Sequence, residues 1–329
     1  MSRARILLDV PLRPVIGSRF QPTGFPDIGA AEFDRPVVDA NGVHQGWARA
    51  LLVESAQSMA NRLEATTWQA ESNSPDPVLG GLPYLRVVGA DGSYLTSSRT
   101  EAHRLASAFV KDSTLDGVGM IDEIKARLGL YDDTPISLSQ IAAAVFQLDP
   151  LCLVHGVFFA DSKWPGQPKI ARSLTGFVEA VDVHRADSGG VKKDHVRHSL
   201  SEGSGGTSEG YGSVPFHRTE WTAAEIVASF AVDRRQIESY GLGPAATSLL
   251  ESIARWEIRA LLESGLRLRT ACDLEPIDEH LVDRDGMDIA SLDDLVRSIR
   301  EGVAACRDML GTGDPIEVVW NGGKKAKKA

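Results

Sequence analysis

Residues 173–184 read Ser-Leu-Thr-Gly-Phe-Val-Glu-Ala-Val-Asp-Val-His, a stretch whose β-branched and aromatic content predicts a strand. The texture then changes. Residues 185–213 hold Ser188-Gly189-Gly190, the pair Lys192 and Lys193, and the run Ser-Glu-Gly-Ser-Gly-Gly-Thr-Ser-Glu-Gly at 201–210. Nothing there is periodic or apolar, so a mobile insertion is predicted, far beyond ordinary loops of about 4–6 residues. A further strand is read over 221–231. Working outward, strands are predicted at 4–10 (stopped by Pro11 and Pro14), 84–88, 151–160, 266–274 and 315–320. Helices are predicted at 47–69, 99–110, 119–129, 137–147, 244–265 and 289–309. The first places Leu52, Ala56, Met59 and Leu63 on one face; the fourth opens on the capping candidates Ser137 and Ser139. Residues 17–35, rich in Gly, Pro and Phe, read as an ordered loop. Strands and helices interspersed around one core, with long excursions, give an α+β or α/β class.

Composition narrows the function classes. Of 329 residues, 43% are hydrophobic and 24% charged, as in a soluble globular protein. No apolar run approaches the roughly 18 residues of a membrane span, and the N-terminus lacks the features of a signal peptide, so a cytoplasmic protein with no membrane partner is expected. Cys152, Cys272 and Cys306 are far apart, without zinc or disulfide spacing; three buried thiols are the expectation. The net charge of −10 is unusual for a nucleic-acid binder, but it is unevenly placed. Residues 273–319 hold 13 acids against 4 arginines, while 320–329 add four lysines. The body is nearly balanced, which leaves room for a basic groove.

Four segments combine cations, hydroxyls and aromatics. The first holds Ser18, Arg19, Phe20, Gln21 and Thr23: arginine and hydroxyls suit phosphate, and aromatic rings offer stacking faces. An equally good reading has its phenylalanines anchor the loop to the core. The second is a polar helix face with Ser58, Asn61 and Arg62, which could line a phosphate track or be an ordinary solvated face. The third holds Ser97, Ser98, Arg99, His103 and Arg104. A serine and Glu101 could form a capping box, but cations in a first helical turn oppose the dipole, and a bound anion would resolve the mismatch. The fourth spans the two limbs of the insertion, with Lys192 and Lys193 on one side and Tyr211, His217 and Arg218 on the other. Such limbs could fold over a nucleic-acid strand or be a plain polar loop. His195 and His198 lack a third ligand, so no metal site is expected, and His155, amid apolar residues, reads as a satisfied core histidine. His217 beside Arg218 is the one acid–base candidate. Hydrolase, zincin, P-loop and dinucleotide motifs are absent from the sequence, as is an RNP aromatic signature.

Longer strings carry a resemblance. They are Gly-Ser-Arg-Phe-Gln-Pro-Thr-Gly-Phe-Pro-Asp-Ile-Gly-Ala-Ala (17–31), Leu-Val-Glu-Ser-Ala-Gln-Ser-Met-Ala-Asn-Arg-Leu-Glu (52–64) and Glu-Ala-His-Arg-Leu (101–105). Leu-Val-His-Gly-Val-Phe (153–158), Ser-Gly-Gly-Val-Lys (188–192), Gly-Tyr-Gly-Ser-Val-Pro-Phe-His-Arg (210–218) and Gly-Leu-Arg-Leu-Arg-Thr-Ala-Cys-Asp-Leu (265–274) belong with them. Over roughly residues 5–275 the chain resembles the Cas-seven-type backbone subunit, of the RAMP superfamily, of CRISPR type I-G (formerly I-U) Cascade complexes. The resemblance implies an α+β fold with an RRM-like (ferredoxin-like) core and large insertions including a thumb hairpin. The thumb is placed near 185–218 on that segment's flexibility and cations, within one domain over 1–320 that has helical insertions near 33–150 and is followed by a basic tail at 321–329 expected to be disordered. The resemblance further implies a subunit that polymerises along CRISPR RNA and presents the spacer to target DNA through the guide. Its partners would be other copies of itself, a fused Cas-five/Cas-six subunit and a large Cas-eight-type subunit. Neither a cofactor nor catalysis is implied.

That reading suits the residues, since a subunit that holds any spacer must read backbone, 2′-hydroxyls and shape, and many copies sharing one RNA accumulate affinity. Alanine at Arg19, Arg62, Arg99 or Lys192 and Lys193 is accordingly expected to weaken RNA binding. Two enzyme readings compete: a RAMP endonuclease acting on guide or target RNA through Asp194 or His217, and a small-molecule enzyme with a lid at 185–213.

Overall fold

The computed structural model describes residues 4–193, 195, 212–311 and 313–322. Twelve strands of its two main sheets are numbered here. They are β1 (Arg5–Pro14), β2 (Glu32–Val38), β3 (His44–Glu54), β4 (Tyr84–Val88), β5 (Tyr94–Ser97), β6 (Ser113–Leu115), β7 (Val118–Gly119), β8 (Leu174–Lys192), β9 (Val214–Asp233), β10 (Leu266–Arg269), β11 (Cys272–Pro276) and β12 (Pro315–Trp320). The main helices are α1 (Ala56–Ala65), α2 (Met120–Leu128), α3 (Leu138–Leu148), α4 (Leu151–His155), α5 (Gly243–Ser264) and α6 (Leu292–Ala305). The fold is mixed α+β.

The first sheet runs β10-β11-β1-β9-β8-β3-β2, with every neighbour antiparallel. Its alternation is legible residue by residue. Ile6, Leu8, Val10 and Leu12 of β1 are buried and stand opposite Val232, Phe230, Ala228 and Ile226 of β9. On β8, Leu174, Gly176, Val178 and Ala180 continue the same rows. This face packs on α1 and α5. At Gly176 a Cβ would lie 2.5 Å from the Phe230 ring and 3.1 Å from Met59, so α1 approaches the sheet this closely only over a glycine. The opposite face carries Asp9, Glu179, Glu225 and Arg35. Asp9 accepts from Ser229 (2.6 Å) and from Arg284, and the Arg284 hydrogen bond holds its carboxyl below the usual carboxylate range. Burial pushes Glu179 up.

The second sheet runs β7-β6-β12-β4-β5, with β12 and β4 parallel. The buried side chains of both layers form one hydrophobic cluster, from Leu8 and Phe230 through Phe146 and Leu249 to Ile299 and Val318. Among the described residues no helix is long and apolar enough to cross a membrane.

Several elements differ from expectation. Residues 47–69 are a strand to Glu54, a cap at Ser55, whose Oγ accepts from the Ser58 N–H, and then α1. Pairing with β2 on one edge and β8 on the other overrides the helical spacing. Residues 151–160 hold the one-and-a-half-turn helix α4, buried all round, so no period separated it from a buried strand. Over 99–110 there is only a 3₁₀ turn at Arg104–Ala106 and a single turn at Ala108–Lys111. Ser107 interrupts them by capping the latter through the Val110 N–H. The segment 17–35 ends in β2, and the excursion over 33–150 contains sheets as well as helices. The expected insertion is strand as far as Lys192 and again from Val214. Its centre, including Asp194, His198, Tyr211 and the 201–210 run, lies outside the described residues, as does nearly all of the 321–329 tail.

Candidate nucleic-acid interface

β8 and β9 keep one register from Leu174 opposite Val232 to Lys192 opposite Val214, skipping Asp182. Their outer neighbours stop early: β3 reaches only Val178 to Val181 of β8, and β1 only Ile226 to Asp233 of β9. Beyond that, the two strands pair mainly with each other, with Phe20 bridging to Trp221 near the root. From Val183 to Lys192 this ribbon extends about 33 Å at 3.3 Å per residue. Asp182 sits where the ribbon leaves the sheet, with φ +53° at the position the pairing skips, which marks a bend at the arm's root.

Strand alternation sorts the arm into two faces. Lys192 opposite Val214, Gly190 opposite Phe216, Ser188 opposite Arg218 and Ala186 opposite Glu220 share one face. There the Arg218 guanidinium lies over the Phe216 ring at 5.1 Å, and Gly190 leaves room for that ring, since a Cβ would stand 3.3 Å from it. The other face carries His217, Arg185 and Thr219. Arg185 is held by Asp187 (3.0 Å) and by the Thr219 hydroxyl (3.2 Å). Lys192, Lys193, Phe216 and His217 are exposed.

The loop 17–23 is fixed to the root of this arm. Phe20 and Trp221 exchange backbone hydrogen bonds of 2.9 and 2.8 Å, and Arg19 lies 3.6 Å from Glu220 while staying 54% exposed. Arg269 donates to the Gln21 carbonyl at 2.8 Å, and the Thr23 N–H donates to Val53 at 3.1 Å. From root to tip this side of the arm presents Arg19 partnered by Glu220, then Arg218, the Phe216 ring and Lys192. The first and fourth segments singled out in the sequence are thus brought together. Phe216 was missed as a site residue; its signal was the period-two spacing that groups it with Arg218 and Val214.

Other expected contacts are corrected. Phe20 is wholly buried and offers no face to a base; it is the loop's anchor. Phe20→Ala is expected to cost about 3–5 kcal/mol of stability, read by denaturant unfolding. Arg62 is tied to buried Glu54 at 2.7 Å and to the Leu268 carbonyl at 2.6 Å. Ser58 donates to the same carboxylate, and Arg269 pairs with it too, so these residues staple α1 to β10; only Asn61 of that face is exposed. Ser97, Ser98 and Arg99 are buried. Ser98 donates to Asp149 at 2.5 Å, and Arg99 lies 3.6 Å from the same carboxylate, so none of the three reaches a ligand. Arg104 is paired with Glu64 at 2.6 Å and donates to the Gly156 carbonyl, while His103 and Ser18 are exposed.

His155 is a core histidine, 2.9 Å from Glu257 with both side chains fully buried. Burial alone would push the imidazolium down, but the Glu257 charge and hydrogen bond outweigh it, so His155 is raised; burial raises Glu257 as well. The pair therefore keeps a shared proton to higher pH than a free imidazole does. A group bound more strongly in the folded state stabilises below its unfolded pKa, about 6.5 for histidine, and loses that contribution as pH rises through the folded value. The stability gap between wild type and His155→Gln is thus expected to be widest below pH 6.5 and to narrow at alkaline pH, as read by urea unfolding across pH. Burial pushes the Cys152 thiol up and Cys272 up to about 12, which keeps both unreactive. Among the described residues no group of three or more His, Cys, Asp or Glu side chains could hold a metal ion.

A family described as CRISPR-associated protein GSU0053 matches residues 6–185. No curated protein matches the chain. Among solved structures, a chain of a complex titled "CRISPR RNA-guided surveillance complex, pre-nicking" is similar at 15% identity and a TM-score of 0.34, over 83% of this chain and 73% of that one. The family match takes in β1, the root loop, α1 and β8 as far as the bend, more than half of the sequence, and on it the chain belongs to the CRISPR-associated GSU0053 family, a Cas-seven-type family.

Proposed function

We propose that this chain is an RNA-holding backbone subunit of a type I CRISPR surveillance complex, of the I-G subtype, and that it does not cut what it holds. The observation that carries the reading is the projecting β8–β9 arm, whose one face combines Lys192, Arg218 and Phe216 with Arg19 at its root. Cations suit a phosphate backbone and an aromatic ring suits any base, so such a face grips a strand without reading its sequence. In this reading the arm is the thumb that folds over CRISPR RNA, and the bases left free pair with target DNA.

The topology supports an RRM-like core. Four strands in the order β11-β1-β9-β8, with α1 and α5 against one face, match a β-α-β-β-α-β arrangement. The arm then grows from the junction of the second and third core strands. This reading puts RNA on the arm and not on the open sheet face, where the cations Arg284 and Arg35 are already paired with Asp9 and Glu225 and Glu179 adds a further carboxylate. The continuous core supports one domain through residue 320. Polymerisation draws support from the outer edge: all seven residues of β2, the last strand of its sheet, are exposed, and Val37, Val38, Val43 and Trp47 (65% exposed) put apolar surface beside it. Guide RNA, further copies of this chain, a fused Cas-five/Cas-six subunit and a Cas-eight-type subunit are the partners this reading assigns.

The test is affinity for two RNA oligonucleotides of equal length and unrelated sequence, measured across salt. Affinities within a few-fold of each other, falling steeply with salt, are expected. A strong preference for one sequence, or salt-independent binding, would contradict the reading.

A further inference from the structure

A cleft of about 490 Å³ opens between the first turn of α1, residues 102–104 and the segments 155–160 and 169–172, a volume suited to a small ligand. It contains no residue of the arm or of the root loop. Its charge is lopsided. Arg104, Lys169 and Arg172 line it, with His103 at the rim, and the carboxylate tied to this set is Glu64, on Arg104. Arg172 donates instead to neutral acceptors, the Ala56 carbonyl at 3.2 Å and Gln57 Oε1 at 3.0 Å. Burial and the nearby Arg104 charge hold its guanidinium below the usual arginine range. Glu64 already answers Arg104, so an anion in the half-buried cleft would chiefly offset the repulsion felt by Arg172. A flat ring stands at the same cleft: Phe158 is 48% exposed, with the Lys169 ammonium 5.7 Å from its centre. Two roomier clefts, of about 600 and 550 Å³, carry more carboxylates than cations: Glu238 and Glu251 against Arg234, and Glu263, Glu275, Asp278 and Glu279 against Arg259, which suits an anion less well.

We infer that this cleft binds a phosphorylated nucleoside, the phosphate on Arg172 and Lys169 and the base against Phe158. Cations fix the phosphate as charge-assisted partners, and the ring supplies a stacking face that tolerates any base. Gly156 shapes the wall: with φ +79° and a would-be Cβ only 2.8 Å from the Ile170 carbonyl, no side chain fits there.

The full chain is titrated with adenosine 5′-monophosphate, adenosine and inorganic phosphate by calorimetry. The monophosphate is expected to bind at least tenfold more tightly than either fragment. Arg172→Gln and Phe158→Ala are each expected to weaken it tenfold or more, while Phe216→Ala on the arm leaves it unchanged. Should Arg172→Gln not fold, Lys169→Ala, at an exposed position, carries the same expectation. Phosphate binding as tightly as the monophosphate would overturn the nucleoside assignment. Failure of the monophosphate to bind, or wild-type affinity in the cleft variants, would overturn the site. Competition with an RNA oligonucleotide assigns the source: displacement supports a nucleotide of a bound strand, and persistence supports a free one. Because the site shares no residue with the arm, loss of RNA binding in arm variants with intact monophosphate binding separates the two proposals.

Discussion

Replacing Arg99 with leucine is expected to lower folding stability by about 3–5 kcal/mol and to leave the RNA affinity of the folded protein unchanged. The Arg99 side chain is 1% exposed and lies 3.6 Å from an equally buried Asp149. Its Nη2 donates to the Leu82 and Pro83 carbonyls, both at 3.3 Å, and its guanidinium stacks on Tyr84 at 4.9 Å. Removing it strands a carboxylate with only Ser98 and the Leu151 N–H as donors, and that uncompensated charge is the source of the loss. Burial already raises Asp149, against the opposing pull of Arg99; without Arg99 it rises further. A carboxyl held protonated in the folded state gives stability that fades as pH climbs above the unfolded value near 3.9. The variant should therefore lose least at acid pH and most near neutrality, and Asp149→Leu in the same chain should recover part of the loss. Urea unfolding at pH 5 and pH 8 reads all three outcomes. Equal stability of wild type and variant, with weakened RNA binding, would return Arg99 to the interface.

Combined alanine substitution at Lys192, Phe216 and Arg218 is expected to do the reverse, abolishing most RNA affinity while changing stability by no more than about 0.5 kcal/mol, as for surface positions. Each lost phosphate contact should flatten the slope of log affinity against log salt by about 0.7 for a single strand. Loss of the ring should cost a further 1–3 kcal/mol, roughly, independent of salt. Fluorescence anisotropy across salt separates these parts, since Phe216→Ala alone should move the intercept and spare the slope. An unaltered affinity in the triple variant would remove the arm from the interface.

The contrast between Arg99 and Arg218 explains what could be read in advance. Strands with clear alternation or β-branched content, such as β1 as far as Val10 and the start of β8, were legible because one buried face imposes a period, although β1 runs on through Pro11 to Pro14. The helix at α5 was legible for the same reason at period 3.6. What escaped was set by partners distant in sequence. The strand before α1 is held by pairing on both edges. The arm's strands run through Ser188-Gly189-Gly190, a composition that reads as loop because the ribbon buries no core face. At the site, an arginine beside hydroxyls looks alike in sequence whether it awaits a phosphate or a buried carboxylate. Asp149 stands 50 residues from Arg99 and Arg269 over 200 from Glu54, so only the fold could divide Arg62, Arg99 and Arg104 from Arg19 and Arg218.

The central claim is that RNA is gripped along its length and left intact. A footprint of CRISPR RNA with the purified protein, monitoring protection and cleavage together, tests it most directly. Protection repeating at a regular interval on uncut RNA is the result this account predicts; RNA cut at defined positions, with cutting lost in His217→Ala, would contradict it and make the protein a nuclease.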